Sequence, residues 1–334
     1  MSGPDAIAAS DHEPSQPNDG RVAITSVMAH WGEVIQGPVL VRDVPQIGLV
    51  TLPDPTRWVT ATAMRKSHGS RTSCNQPWKT KALKAAQLTI ERYAPGTSVD
   101  LDLRSTIPEG VGAGSSTADC AATIRAVEEL LGVPAAASAE ALDLLFAAEG
   151  PCDPLLLLDD RATLLWGSRC GRLFRRYDAP LPKFHALGFV TDPGRMVSTV
   201  ELAANQQQHP PTPGEVDAFA AILRDFEDAL GTGSAYGIAR AATASGSLNQ
   251  HRCRIDGWDI LIRLAEDVGA AGVSCAHSGT AAALLFDPAI DNLSARCQEA
   301  TRQLEGRRVA HVHAFRTGHV SPHQLAHALS DTSA

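Results

Sequence analysis

Pro108-Glu109-Gly110-Val111-Gly112-Ala113-Gly114-Ser115-Ser116-Thr117-Ala118-Asp119 is the stretch on which the fold turns. Glycine at alternate positions (Gly110, Gly112, Gly114) lets the backbone bend tightly and approach a bound group with no Cβ in the way. Ser115, Ser116 and Thr117 follow where a helical pattern begins, and that pattern runs on to Leu131. Free N–H groups and the positive end of such a helix suit an anion. The dipole alone contributes about 0.3–1 kcal/mol. A firm grip therefore needs several N–H donors together with the hydroxyls, which can also bond phosphate or ligate magnesium. The glycine spacing is not GxGxxG, and the Lys of GxxxxGK[ST] is missing, so this is neither a dinucleotide fingerprint nor a Walker A loop.

Upstream, Ser98 to Arg104 alternates Val99, Leu101 and Leu103 with Asp100 and Asp102, which predicts a half-buried strand. Before it, Lys79 to Tyr93 has helical spacing and ends at Pro95 and Gly96, and Met64 to Trp78 reads as a loop. Extended runs are expected at Val22 to Glu33, Ile47 to Leu52 and Arg57 to Ala63. Downstream, Ser138 to Ala148 predicts a helix with Ser138 as N-cap. A hairpin is expected around Gly167 and Gly171, and a strand at Phe184 to Val190. Helices are predicted at Val197 to Gln206, Glu215 to Leu230, Ala235 to Leu248 and Trp258 to Val268. Strands follow at Val273 to Ala276, Ala281 to Phe286 and Val309 to Phe315, with a helix between the last two. Strands and amphipathic helices out of strict βαβ order predict an α+β chain of two lobes. The expected boundaries are a disordered tail over 1–20, one domain over 21–180 and a second over 181–330.

The 334 residues carry a formal net charge of −8, with 44% hydrophobic and 20% charged side chains. These are globular values, and the charge argues against a nucleic-acid surface. The 7 Cys contain no CxxC pair, which does not resemble a disulfide framework. No apolar run approaches the roughly 20 residues that span a bilayer, and the first 20 residues lack the apolar core of a secretory signal. The expectation is a cytoplasmic protein with no membrane or nucleic-acid partner.

Three segments, in order, resemble the GHMP kinases, and within them most closely the L-threonine kinases of cobalamin side-chain synthesis. They are Gly32-Glu33-Val34-Ile35-Gln36-Gly37, the central Ser115-Ser116-Thr117-Ala118-Asp119 followed by Ala121-Ala122-Thr123, and Ala276-His277-Ser278-Gly279-Thr280. The resemblance runs over about Val22 to Phe315. It departs at Ala113, where the family has Leu, at Ala283, and at Glu149-Gly150-Pro151-Cys152-Asp153, where the Glu is displaced by one from the family's E-P-T-D.

The resemblance implies a two-lobed GHMP-kinase-like α+β fold, with an N-terminal ATP-binding lobe and a C-terminal ferredoxin-like α/β lobe. It also implies ATP and Mg2+ as cofactors and a small hydroxy amino acid as partner. Asp153 would orient the acceptor hydroxyl or take its proton; the plainer alternative is a cap on the run from Leu155 to Leu158. Pro108, Gly110, Gly112, Gly114, Ser115, Ser116 and Thr117 would hold the nucleotide. Ser116 would also face the metal, and Glu149 is either a magnesium ligand or a solvated helix-end residue. Glu33, Gln36, Gly37, His277, Ser278, Gly279 and Thr280 are substrate candidates, with His277 more often a structural residue in such a turn. Lys79, Lys81 and Lys84 either steer ATP or form a solvated face. The C-terminal histidines His311, His313, His319, His323 and His327 have no carboxylate at a ligand spacing in the sequence. L-threonine is the first acceptor expected; homoserine, serine or another hydroxy amino acid is the alternative, and a silent nucleotide or metabolite sensor is the third.

Overall fold

The computed structural model describes residues 22–67, 69–134, 138–158, 161–195, 210–276 and 278–318. The predicted tail, the helix at Val197 to Gln206, His277 and the histidines beyond 318 lie outside them.

The chain opens with one long antiparallel hairpin, β1 (Val22–Val41) and β2 (Val44–Arg65). The extended runs expected separately at 47–52 and 57–63 are therefore one strand, paired with β1 on both sides of an irregularity at residues 55–57, where the register shifts between Met28 and Ala29. A short β3 (Ser73–Cys74), α1 (Thr80–Tyr93), β4 (Val99–Ser105), α2 (Ser115–Leu131) and α3 (Ser138–Glu149) follow. A 3-10 turn at Leu155–Leu157 leads to the hairpin β5 (Thr163–Gly167) and β6 (Arg172–Tyr177), then β7 (His185–Val190). The remainder is α4 (Pro213–Thr232), α5 (Ala235–Leu248), α6 (Trp258–Val268), β8 (Gly272–Cys275), β9 (Ala281–Phe286), α7 (Leu293–Glu305) and β10 (Ala310–Arg316).

One sheet runs through the described chain in the order β10-β7-β9-β8-β1-β2-β4-β3, with β5 and β6 branching from β2. Its halves meet where Glu33 of β1 pairs with Cys275 of β8. The Trp31 indole N–H donates to the Ala282 carbonyl at 2.9 Å across the same seam. Strand β9 shows why it reads as unbroken apolar sequence. Ala281, Ala283 and Leu285 join the main core, while Ala282, Leu284 and Phe286 join a second core under α6 and α7. Side chains alternate across a strand, so an Ala-Ala-Ala-Leu-Leu-Phe run serves two layers.

Candidate active site

Strand β1 is irregular where it matters. In a regular strand, residues i and i+3 point to opposite faces. The register of β1 against β2 shifts between His30 and Glu33 and again before Ile35, and Gly32 between them has φ +73°. A bulge of this kind re-aims side chains. It brings His30 Nδ1 within 3.7 Å of Glu33 Oε1, with both residues buried. Gly32 is held to glycine twice over: its φ is positive, and a Cβ there would lie 2.8 Å from the Ala276 nitrogen.

The glycine turn packs against this bulge. Gly114, at φ 70°, is the N-cap of α2, and no side chain caps the helix start. A Cβ on Gly114 would sit 2.5 Å from the His30 ring. On its other side the turn rests on the segment after β8: Thr280 and Ala281 both donate N–H to the Val111 carbonyl, at 3.0 and 2.9 Å. A Cβ on Gly279 would lie 2.1 Å from that carbonyl oxygen.

Across the turn lies the segment after α3. Asp153 Oδ2 accepts from His30 Nε2 at 3.0 Å, and His30 Nδ1 faces the Gly32 carbonyl at 3.2 Å. Both ring nitrogens therefore face acceptors, which suits a doubly protonated imidazolium. Burial alone would remove that proton. The charge and hydrogen bond of Asp153, then Glu33 and the Gly32 carbonyl, outweigh it and raise His30 to about 9. His30 belongs to none of the sequence motifs, and only the pairing of its ring with a residue 123 positions away reveals it.

Asp153 and the glycine turn share one cavity of about 140 Å³, lined also by Glu149, Pro151, Ser168 and Ser278. Gly110, Gly112, Gly114, Ser115, Ser116 and Thr117 all face it. Pro108, half-buried, opens the turn outside that lining. Ser116 Oγ donates to Glu149 Oε2 at 2.8 Å, and Lys81 Nζ lies 3.1 Å from Glu149 Oε1. Burial raises the Glu149 carboxyl above its ordinary range, against the opposing pull of Lys81 and Ser116. The displaced Glu thus still reaches the cavity. A second cavity of about 340 Å³ shares Gly110, Ser115 and Ser116 with the first and continues past Trp78, Lys79, Lys81 and Glu109. A larger open groove, about 750 Å³, lies at the far tip of the β1–β2 hairpin and is lined mainly by apolar residues such as Leu40, Val44 and Phe174. Arg42, Arg172 and Arg175 also line it, with no carboxylate in the lining.

Of the three lysines only Lys79 leaves the solvated face; Lys81 stays partly exposed and Lys84 exposed. Lys79 is buried against Asp119 at 2.6 Å and Glu109 at 3.3 Å, Lys81 pairs with Glu149, and Lys84 donates to the Ala147 carbonyl at 2.6 Å. Lys79 thereby ties the start of α1 to α2 and to the glycine turn. Of the substrate candidates, Glu33 lies beside His30. The Gln36 backbone is fastened to α5 through Ser245, and its carbonyl also accepts from Asn249. Gly37 has a packing reason: a Cβ there would fall 2.2 Å from the Phe219 ring. Ser278 lines the cavity, Gly279 and Thr280 pack on Val111, and His277 lies outside the described residues. His313 finds its carboxylate in space, with Nε2 2.8 Å from Asp54 Oδ2. This pair packs against Trp31, away from the cavity lining.

The α+β fold is shared with solved structures. Homoserine kinase from Cytophaga hutchinsonii superposes with a TM-score of 0.63 at 16% identity, covering 92% of this chain and 97% of that one. MDDEF in complex with MVAPP, AMPPCP and magnesium gives 0.64 at 13% identity, covering 89% and 98%. In sequence, 4-diphosphocytidyl-2-C-methyl-D-erythritol kinase from Parvibaculum lavamentivorans is 31% identical over 151 residues, which is 42% of this chain. That match spans about half, 49%, of the relative's own length. The GHMP kinases N terminal domain matches residues 80–155, and the GHMP kinases C terminal domain matches residues 218–302. The chain belongs to the GHMP kinase superfamily. Among the described residues no helix is long and apolar enough to cross a membrane.

Proposed function

We propose that this chain transfers the terminal phosphate of ATP to the side-chain hydroxyl of L-threonine, giving O-phospho-L-threonine and ADP. The observation that carries the reading is the shared cavity: the uncapped, glycine-led start of α2 on one wall and the Asp153 carboxylate, held by a protonated His30, on the other. Phosphoryl transfer needs alignment and charge neutralisation more than covalent chemistry. The turn N–H groups and the Ser115, Ser116 and Thr117 hydroxyls cradle the nucleotide's phosphates. Asp153 accepts the acceptor's hydroxyl proton as its oxygen bonds to the γ-phosphorus, and the bond from that phosphorus to the β–γ bridging oxygen breaks. His30 holds Asp153 in place through the contact of its Nε2 with Asp153 Oδ2.

Ser116 and Glu149 offer adjacent oxygen donors beside the turn, a set that suits magnesium, which favours oxygen ligands and few carboxylates. Magnesium there would neutralise phosphate charge. The neighbouring cavity past Trp78 has the room for the nucleoside. Threonine as acceptor rests on the three motifs shared with L-threonine kinases; the amino-acid class is also in keeping with the fold of the homoserine kinase.

Purified protein with ATP and magnesium, offered threonine, homoserine, serine and non-amino-acid alcohols, tests this directly. ADP release and O-phosphothreonine with threonine as best acceptor supports the reading. A different best acceptor replaces threonine but keeps the phosphotransferase. Nucleotide binding without turnover over the panel leaves a sensor.

A further inference from the structure

Among the described residues, His30, Glu33 and Asp153 are the one group of His, Cys, Asp and Glu side chains that brings three metal-ligating atoms within 4.8 Å of one another. All three residues are buried. The bulge at Gly32 turns His30 and Glu33 toward each other, and the segment after α3 adds Asp153 from 123 positions away. Asp153 Oδ2 lies 3.0 Å from His30 Nε2, and Glu33 Oε1 lies 3.7 Å from His30 Nδ1. Ligand atoms about 2.0–2.2 Å from one ion at tetrahedral angles stand about 3.3–3.6 Å apart. Small side-chain rotations therefore suffice to close these three groups around a cation.

The His30 ring supplies a second, independent observation. Its Nδ1 is 3.2 Å from the Gly32 carbonyl. A metal-bound histidine commonly donates its other ring N–H to a backbone carbonyl, which fixes the tautomer and the ring plane. Here the Gly32 carbonyl takes Nδ1 as its donor and leaves Nε2 as the ligand, on the side of Asp153. Gly114 also approaches the ring so closely that a Cβ there would lie 2.5 Å from it, which limits its tilt. A neutral imidazole and two carboxylates sum to a formal charge of −2. A proton on His30 balances one of those charges; a dication on Nε2 takes its place and balances both. Magnesium prefers all-oxygen sets, whereas zinc accepts imidazole together with carboxylate. The group thus differs in kind from Ser116 and Glu149, which offer oxygen alone. Asp153 lines the cavity of the glycine turn, which gives an ion its way in.

We propose that His30, Glu33 and Asp153 bind a transition-metal dication such as zinc, and that the bound ion switches off phosphoryl transfer. The switch rests on the reading of Asp153 given above, because the ion takes the carboxylate oxygen that would receive the acceptor's proton. The binding itself rests on the three side chains alone.

The test titrates the full chain, stripped of metal by chelation, with Co2+ as the visible-absorbing stand-in for zinc, in excess Mg2+. One equivalent should bind with the ligand-field absorption of a nitrogen–oxygen site, without the intense sulfur-to-metal band of a cysteine ligand, and Zn2+ should displace it. Losing an outer-shell partner costs about 10- to 100-fold in metal affinity, so losing a ligand in His30→Gln or Glu33→Gln should cost about 100-fold or more. Glu149→Gln should bind Co2+ as the wild type does. Circular dichroism of the metal-free variants separates loss of a ligand from loss of fold. Glu33→Gln and Asp153→Asn, which keep side-chain size, carry the test if His30→Gln does not fold. No Co2+ binding by the wild type, a sulfur band, suppression by Mg2+, or unchanged affinity in the folded variants overturns the site. For the switch, ADP release at saturating ATP and magnesium should fall as Zn2+ rises, with its midpoint at the Kd found by Co2+ displacement, and return on chelation. Turnover that persists with the site filled overturns the switch and leaves the site standing. Should no acceptor be phosphorylated, the kinase reading falls, and the Co2+ titration still decides the site.

Discussion

Asp153 and His30 are separated by 123 residues, yet their side chains meet at 3.0 Å. That contact fixes the carboxylate at the wall of the cavity it shares with the glycine turn. General-base assistance contributes roughly 10²- to 10⁴-fold, so Asp153→Asn should cut kcat by about that factor while ATP affinity, measured by titration, stays close to wild type. Equal loss of both would make Asp153 a nucleotide ligand instead. His30 gives a second test, in stability. Its proton affinity is raised, from 6.5 to about 9, so its contribution is complete below pH 6.5 and is lost as pH climbs through about 9. At about 1.4 kcal/mol per pH unit that is on the order of 3 kcal/mol. Urea unfolding at pH 6 and at pH 9.5 should differ by this order in the wild type, and the difference should shrink in His30→Gln. A variant with the wild-type slope would show that His30 is not the group responsible.

At the scale of elements, the helix from Ser115 to Leu131 was legible from its pattern, and α2 spans those same residues. Its glycines, its Ser–Ser–Thr start and the alternation of β4 announce themselves because 3.6- and 2-residue periods are written locally. The bulge in β1 is not written that way. Nothing in His30-Trp31-Gly32-Glu33 states that residues 30 and 33 will share a face; this follows from pairing with β2 on one side and β8 on the other. The role of Lys79 was also hidden, since a helix-opening lysine looks solvated until Asp119 of α2 is found 2.6 Å away. Both partners are buried, so removing one leaves a lone charge, at about 3–5 kcal/mol. Lys79→Met should lower the urea-unfolding free energy by about that amount, and Lys79→Met with Asp119→Leu should recover much of it. No loss in the single variant would mean that the pair is solvated.

For the whole molecule, the sheet carries strands from both halves of the chain, and the main core mixes Val34 and Ile35 of β1 with Phe219, Ile238 and Ala283. A lobe boundary near residue 180 therefore separates segments that share packing. Chemical denaturation followed by tryptophan fluorescence and by circular dichroism should trace one coincident transition. Two separated transitions would show that the halves fold independently.

The glycine turn, the helix it starts, the acid at 153 and the family are properties of short windows, because backbone freedom, helical period and motif spacing are all local. The partners of those residues are not. His30 beneath Asp153, Glu149 reaching Ser116 despite its displaced position, and Asp54 meeting His313 arise from side chains between 33 and 259 residues apart. Hydrogen bonds and charges act over a few ångströms of space, whatever the distance along the chain. Only the folded sheet brings those distances down to that range.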